Sequence, residues 1–177
     1  YNYYHGTSTS ETKVAHVDGI QTFMNNGGMA QDVLIEFNMC CDFGQGAMVE
    51  SAPYIGSVRN WTWRGNIYSS NRPTYKGAWG LDVIQTPDVT VENNTFAGIT
   101  WFGVGLRGKE STNGQIRNNI FFQIDRAVLE NEKDFTSAKP VVEHNLTFKT
   151  KPLTDERNLN DKDPLFARIT LSADELT

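Results

Sequence analysis

At 177 residues the chain is long enough for one domain with a real core. Its net charge is −5 with Lys and Arg scattered along it, so the basic footprint of a nucleic-acid binder is absent. No run approaches the ~18 apolar residues of a membrane span, and Gly (15 residues), Asn, Thr and aromatics stand where long Ala/Leu/Glu/Lys runs would mark a helical protein.

Taken in order, residues 1–15 are polar and aromatic without a clean pattern and read as an N-terminal cap. The first residue is Tyr1 rather than Met and no leader remains, which fits a mature or trimmed piece or a fragment of a longer chain. A strand is expected at 16–23, where His16 and Asp18 form the most suggestive local pair. They read either as a substrate-facing acid/base dyad or as a turn in which Asp18 bonds backbone and Gly19 supplies permissive dihedrals.

Next comes the first of five segments that align without gaps on an asparagine: 35–40, 63–68, 91–96, 116–121 and 142–147, centred on Asn38, Asn66, Asn94, Asn119 and Asn145. The spacings are 28, 28, 25 and 26 residues, too long for leucine-rich repeats and too β-rich for helical ones. Three positions before the Asn stand Ile35, Trp63, Val91, Ile116 and Val142, an apolar column suited to an inward stack. Two positions before it the charges alternate, Glu36, Arg64, Glu92, Arg117 and Glu143, as exposed neighbours on adjacent strands should. These five charges read as structural. An asparagine repeated at a bend can bond its equivalents along the stack, which supplies the partners a buried amide requires.

Between the Asn segments lie further strands at 46–51, 81–86, 104–109 and 127–132, in line with 16–23. Their best alignment stacks Ile20, Val49, Ile84, Leu106 and Leu129 inward and leaves Gln21, Glu50, Gln85, Arg107 and Glu130 as an outward polar column. Residues 69–78 read as an insertion loop rich in turn formers. Trp79 and Trp101 precede these strands and are the better sugar-stacking candidates, whereas Trp63 belongs to the core column. Cys40 and Cys41 are adjacent and point to opposite faces, so no disulfide is expected between them; one thiol reads as buried and one as exposed. His144 reads as a turn or surface residue, and the Asn-x-Thr triplets at Asn60, Asn93 and Asn145 as by-products of an Asn-rich ladder. After Lys151 the pattern fades into a C-terminal cap, 151–177, with a short helix start at Ser172-x-x-Glu175. The expected architecture is thus all-β: one right-handed parallel β-helix of about five coils over 16–150, with irregular caps.

The asparagine ladder, the period and Asp163-Pro164-Leu165-Phe166 resemble the right-handed parallel β-helix superfamily of pectate-lyase-like and polygalacturonase-like proteins, over roughly residues 16–166. Within it, His16-Val17-Asp18-Gly19-Ile20-Gln21 looks like the Asn-Thr-Asp-Gly-x-Asp rung of polygalacturonases, and Arg107-Gly108-Lys109 is similar to their Arg-x-Lys substrate motif. The paired aspartates of that family are replaced by Val49-Glu50-Ser51, and its Gly-His-Gly by Ile84-Gln85-Thr86. What the resemblance implies is a carbohydrate-active protein, a polysaccharide lyase or glycoside hydrolase acting on an acidic polysaccharide in an extracellular or cell-surface setting. Asp18, Glu50, His16 and Arg107 would be its catalytic groups, and Gln21, Gln85, Lys109, Glu130, Trp79 and Trp101 its substrate contacts. Calcium is the one cofactor it suggests, with Glu50, Asp18 and Asp82 as conceivable oxygen ligands. The alternative is a non-catalytic carbohydrate-binding, adhesin or tailspike-like module, or a piece of a larger enzyme.

Overall fold

The computed structural model describes residues 2–6, 17–24, 27–54, 56–70, 77–129 and 139–166. Among them no helix occurs, and every strand pairing between named elements is parallel. Three sheets run the length of the molecule. The first stacks β1 (Tyr3–His5), β4 (Met39–Cys41), β7 (Ile67–Ser69), β10 (Thr95–Ala97), β13 (Ile120–Phe122) and β16 (Leu146–Phe148). The second is β2 (Asp18–Phe23), β5 (Gln45–Glu50), β8 (Trp79–Ile84), β11 (Phe102–Arg107) and β14 (Arg126–Val128). The third is β3 (Ala30–Glu36), β6 (Val58–Arg64), β9 (Val89–Glu92), β12 (Gln115–Arg117) and β15 (Val141–Glu143). Because the chain visits the sheets in rotation, each circuit adds one strand to each, and the protein is a parallel β-helix.

The corner between the third and first sheets explains the asparagine repeat. The residue before each Asn takes a left-handed backbone: Phe37, Gly65, Asn93, Asn118 and His144 have φ between 55° and 65°. That conformation turns the chain through the corner and aims the next side chain inward. Asn66 then donates its backbone N–H (2.8 Å) and Nδ2 (3.0 Å) to Asn94 Oδ1, and Nδ2 also to the Ile35 carbonyl (2.8 Å). The same arrangement recurs from Asn94 to Asn119 and from Asn119 to Asn145. It also continues into the segments read as caps. Asn2 donates to Asn38 Oδ1, and Asn145 donates to Asn158 Oδ1. Phe37 is a poor left-handed residue by size, and its ring lies over Gly65, where a Cβ would meet it at 2.7 Å.

The core fills from these columns. Trp63, Val91 and Ile116 are fully buried in the expected register. The first sheet adds Tyr68, Phe96 and Phe121, whose rings stack 5.2 Å apart at 8°. Facing them, the second sheet places Gly19, Gly46, Gly80 and Gly103 in one line; a Cβ on Gly80 would lie 2.5 Å from the Phe96 ring and on Gly103 2.6 Å from Phe121. Aromatic rings on one wall therefore require absent side chains on the other.

That glycine line corrects the register expected for the second sheet. Ile20 aligns with Ala47, Leu81, Val104 and Val128, and Val49 aligns with Thr22, Val83 and Leu106. Ile84, expected inside, stands on the Glu50 and Arg107 row instead. Leu129 likewise falls outside the core cluster, beside Gly105. The cysteine reading is corrected too: both thiols are buried and free, Cys40 beneath the aromatic stack and Cys41 covered on the other face. Burial pushes each of them up to about 12, so neither is a ready nucleophile.

On the outer surface the alternating charges pair as Arg64–Glu36 (2.5 Å), Arg117–Glu92 (2.9 Å) and Arg157–Glu143. Arg157 is a further member of the column, in the C-terminal segment. A second alternating row, Asp32, Asn60, Asp88 and Asn113, lies at left-handed corner positions, where Asn60 donates to Asp32 at 2.6 Å and Asn113 to Asp88 at 2.9 Å. Hydrogen bonds from the Arg157 side chain and backbone hold the Asp155 carboxyl down to about 2. A carboxyl depressed in the folded state stabilises above its unfolded value and loses that contribution as pH falls through the folded one. Carboxyl-detected NMR should therefore give Asp155 a midpoint about 2, and exchange protection of the Asn158 amide, which bonds the Asp155 carbonyl, should weaken as pH drops from about 4 toward it. A midpoint near 3.8, the ordinary aspartate value, would contradict the pairing.

Candidate functional site

The outer face of the second sheet gathers the chemistry. Trp79 and Phe102 are register partners on β8 and β11, and their rings stack at 6.0 Å and 8°. Trp101 closes on both, 6.2 Å from Trp79 and 4.8 Å from Phe102, edge-on to each. Phe102 is buried, yet it lies outside the core cluster, and Trp101 remains 38 % exposed. Trp79 Nε1 is buried without an acceptor among the described residues.

Beside the rings the strands carry Asp82, Gly105 and Leu129. A Cβ placed on Gly105 would lie 3.0 Å from the Phe102 ring, 3.2 Å from Asp82 Oδ1 and 3.3 Å from Leu129. The glycine has no left-handed φ to account for it; its lack of a side chain lets the Phe102 ring, Asp82 and Leu129 pack closely together, all of them buried. Asp82 is 1 % exposed and receives a forked pair of hydrogen bonds from Arg107, Nε to Oδ1 at 2.5 Å and Nη2 to Oδ2. Burial raises the Asp82 carboxyl above the usual range, Arg107 opposes that rise, and the nearby Glu50 charge adds to it. Glu50 sits one strand from Asp82, opposite Ile84, which in turn faces Arg107 on its other side.

The expected residues divide accordingly. Trp79 and Trp101 gather with Phe102 where β8 and β11 begin, while Glu50 and Arg107 share a row five residues further along, the Arg107 side chain reaching back to Asp82. Asp18 lies at the other end of the sheet from Glu50: it is opposite Gln45, whereas Glu50 is opposite Phe23. Five residues of strand separate the two, about 16 Å, far beyond the ~6.5–9.5 Å of an inverting carboxylate pair. Gln21 pairs with Met48 rather than Glu50. Gln85 is a corner residue with φ 55°; its backbone N–H donates to the Arg107 carbonyl and its Oε1 accepts from the Glu110 N–H. Lys109 lies beyond the Gly108 turn, 76 % exposed and 3.7 Å from Glu110, so it forms no clamp with Arg107. His16 and Glu130 lie outside the described residues. For calcium, the three carboxylates named do not converge, because Asp18 stands apart; among the described residues no three His, Cys, Asp or Glu side chains form a metal-holding group.

Asp82, named from the sequence only as a conceivable calcium ligand, is the buried partner of Arg107. The signal was present as a single acid within the apolar run Leu81-Asp82-Val83-Ile84; a carboxylate in such a strand needs a partner, and Arg107 is one coil away. Comparison with known proteins adds no family: no family model matches the chain, and neither a curated protein nor a solved structure matches it.

Proposed function

We propose that this chain recognises a polysaccharide on the outer face formed by β5, β8 and β11. The observation that carries the reading is the half-exposed Trp101 ring closing on Trp79 and Phe102, beside a buried, forked Asp82–Arg107 pair. Aromatic faces take up the apolar side of a sugar ring, and flanking polar groups orient its hydroxyls. The resemblance to pectate-lyase-like and polygalacturonase-like β-helices supports the same ligand class, as it does an extracellular or cell-surface setting. In affinity electrophoresis against a polysaccharide panel, Trp101→Ala should weaken binding at least tenfold, about 1.4 kcal/mol, with the melting curve unchanged. Absence of binding by the native protein, or equal binding by the variant, removes the reading.

A further inference from the structure

We infer that the outer face of the first sheet is the contact face of a two-fold homodimer, in which two copies of this chain lie against each other with their solenoid axes antiparallel. Strand register fixes one outward row on that face, directly after the asparagine ladder. Tyr3, Met39, Ile67, Thr95, Ile120 and Leu146 follow one another coil by coil, and Leu159 closes the row. Each is the strand neighbour of an inward residue such as Cys40, Tyr68, Phe96 or Phe121, so the row points away from the core, and none of it belongs to the core cluster. All but Thr95 are apolar or aromatic, and none is charged. Tyr3 is 39 % and Leu159 57 % exposed, and the five between them are half-buried. At ~4.8 Å per coil the stripe runs about 29 Å. A continuous apolar stripe of that length marks an interaction face.

The charges that border the stripe identify its occupant. Around the one-residue corner runs the column Glu36, Arg64, Glu92, Arg117, Glu143 and Arg157, alternating in sign over six coils. Two copies placed face to face with parallel axes carry this column to opposite edges of the contact, where it meets no counterpart. With antiparallel axes the two columns share one edge and run in opposite directions. An alternating column with an even number of members is its own complement when reversed. Glu36 then faces Arg157 of the second copy, Arg64 faces Glu143, and Glu92 faces Arg117. The two-fold falls between the Thr95 and Ile120 rungs, laying Met39 against Leu159, Ile67 against Leu146 and Thr95 against Ile120. A slip of one coil sets Glu against Glu and Arg against Arg, so the column selects a single register. These charges already pair within each chain, and what they add is direction and register more than affinity. The contact is isologous, as a closed dimer requires. A strip about 29 Å long and about 15 Å across offers about 400 Å² per copy, the low end of specific interfaces, so the dimer forms with rising concentration. The ring patch of Trp79, Trp101 and Phe102 stands on the second sheet and stays open in each copy.

Sedimentation equilibrium over a wide range of protein concentration tests this directly and should show a monomer–dimer equilibrium. Ile67→Glu should weaken dimerisation at least tenfold with the melting curve unchanged, because its side chain faces away from the core. Thr95→Arg, at the centre of the stripe, is the second probe should the first variant fold poorly. Glu92→Lys should also weaken the dimer, and adding Arg117→Glu should restore it, since the exchanged charges face each other only in the antiparallel register. A monomer at every concentration overturns the inference. So does a dimer that neither Ile67→Glu nor Thr95→Arg weakens, or one that the double charge exchange leaves as weak as Glu92→Lys alone.

Discussion

Replacing Asn94 with Leu should lower the stability of the protein by about 4 kcal/mol, read as a shift of the urea midpoint. Asn94 is buried and at the middle of the ladder: its Oδ1 accepts from Asn66 N–H and Nδ2, and its Nδ2 donates to Asn119 Oδ1 and the Trp63 carbonyl. Leucine fills a similar volume and supplies neither donor nor acceptor. The Asn66 amide loses its acceptor and the Trp63 carbonyl loses its donor, each in a dry interior where an unmet group costs ~1–3 kcal/mol. The exposed end of the ladder is the control. Asn2 is solvated, so Asn2→Ala should change the midpoint little. An unchanged midpoint for Asn94→Leu would mean that the ladder is decoration on a fold held by other contacts.

Gly46→Ala should be worse than its single methyl suggests, with a loss of ~3 kcal/mol or more, at or above the upper end of ordinary overpacking. A Cβ on Gly46 would lie 2.2 Å from the Gly80 carbonyl oxygen and 3.0 Å from its carbon. Both obstacles are backbone, and β8 is held between β5 and β11, so no side chain can rotate to make room. Gly105→Ala is the informative contrast, because its nearest neighbours are side-chain atoms at 3.0–3.3 Å that can yield. Thermal melts of the two variants should therefore separate clearly. Equal stability of Gly46→Ala and the native chain would remove the glycine line as the feature that sets the register of the second sheet.

These two sites also show what was legible in the amino-acid sequence. The third and first sheets were readable because their strands flank a corner of constant length. One left-handed residue precedes one asparagine each time, so the apolar column and the Glu36–Arg64–Glu92–Arg117–Glu143 column align without gaps. Asn2 and Asn158 were harder to see because neither is flanked by the full repeat. The second sheet follows loops of different lengths, so its strands had no common origin from which to count. Apolar residues alone aligned Ile20 with Val49 and Ile84, an error of two places for Val49 and three for Ile84. Such a slip changes which side chains share a face. The glycines Gly19, Gly46, Gly80 and Gly103 were the missing marker, and they become meaningful only once the rings of Tyr68, Phe96 and Phe121 are known to stand opposite.

The same slip governed the site. With the register displaced, Asp18, Glu50 and Asp82 could be grouped as conceivable calcium ligands. The true register separates Asp18 from Glu50 and leaves Asp82 within reach of Arg107. Trp79 and Trp101 were identifiable from their places just before the strands, since that judgement depended on sequence position rather than on register.

The proposed glycan face can be tested most directly through the four indole N–H resonances of Trp61, Trp63, Trp79 and Trp101. Trp61 and Trp63 stack on each other within the core, 5.3 Å apart, whereas Trp79 and Trp101 belong to the outer patch. On titration with an oligosaccharide of a polymer that the native protein binds, the signals of Trp79 and Trp101 should move together and saturate while those of Trp61 and Trp63 stay in place. Saturable binding that leaves the Trp79 and Trp101 signals unmoved would contradict the account and place the ligand elsewhere on the molecule.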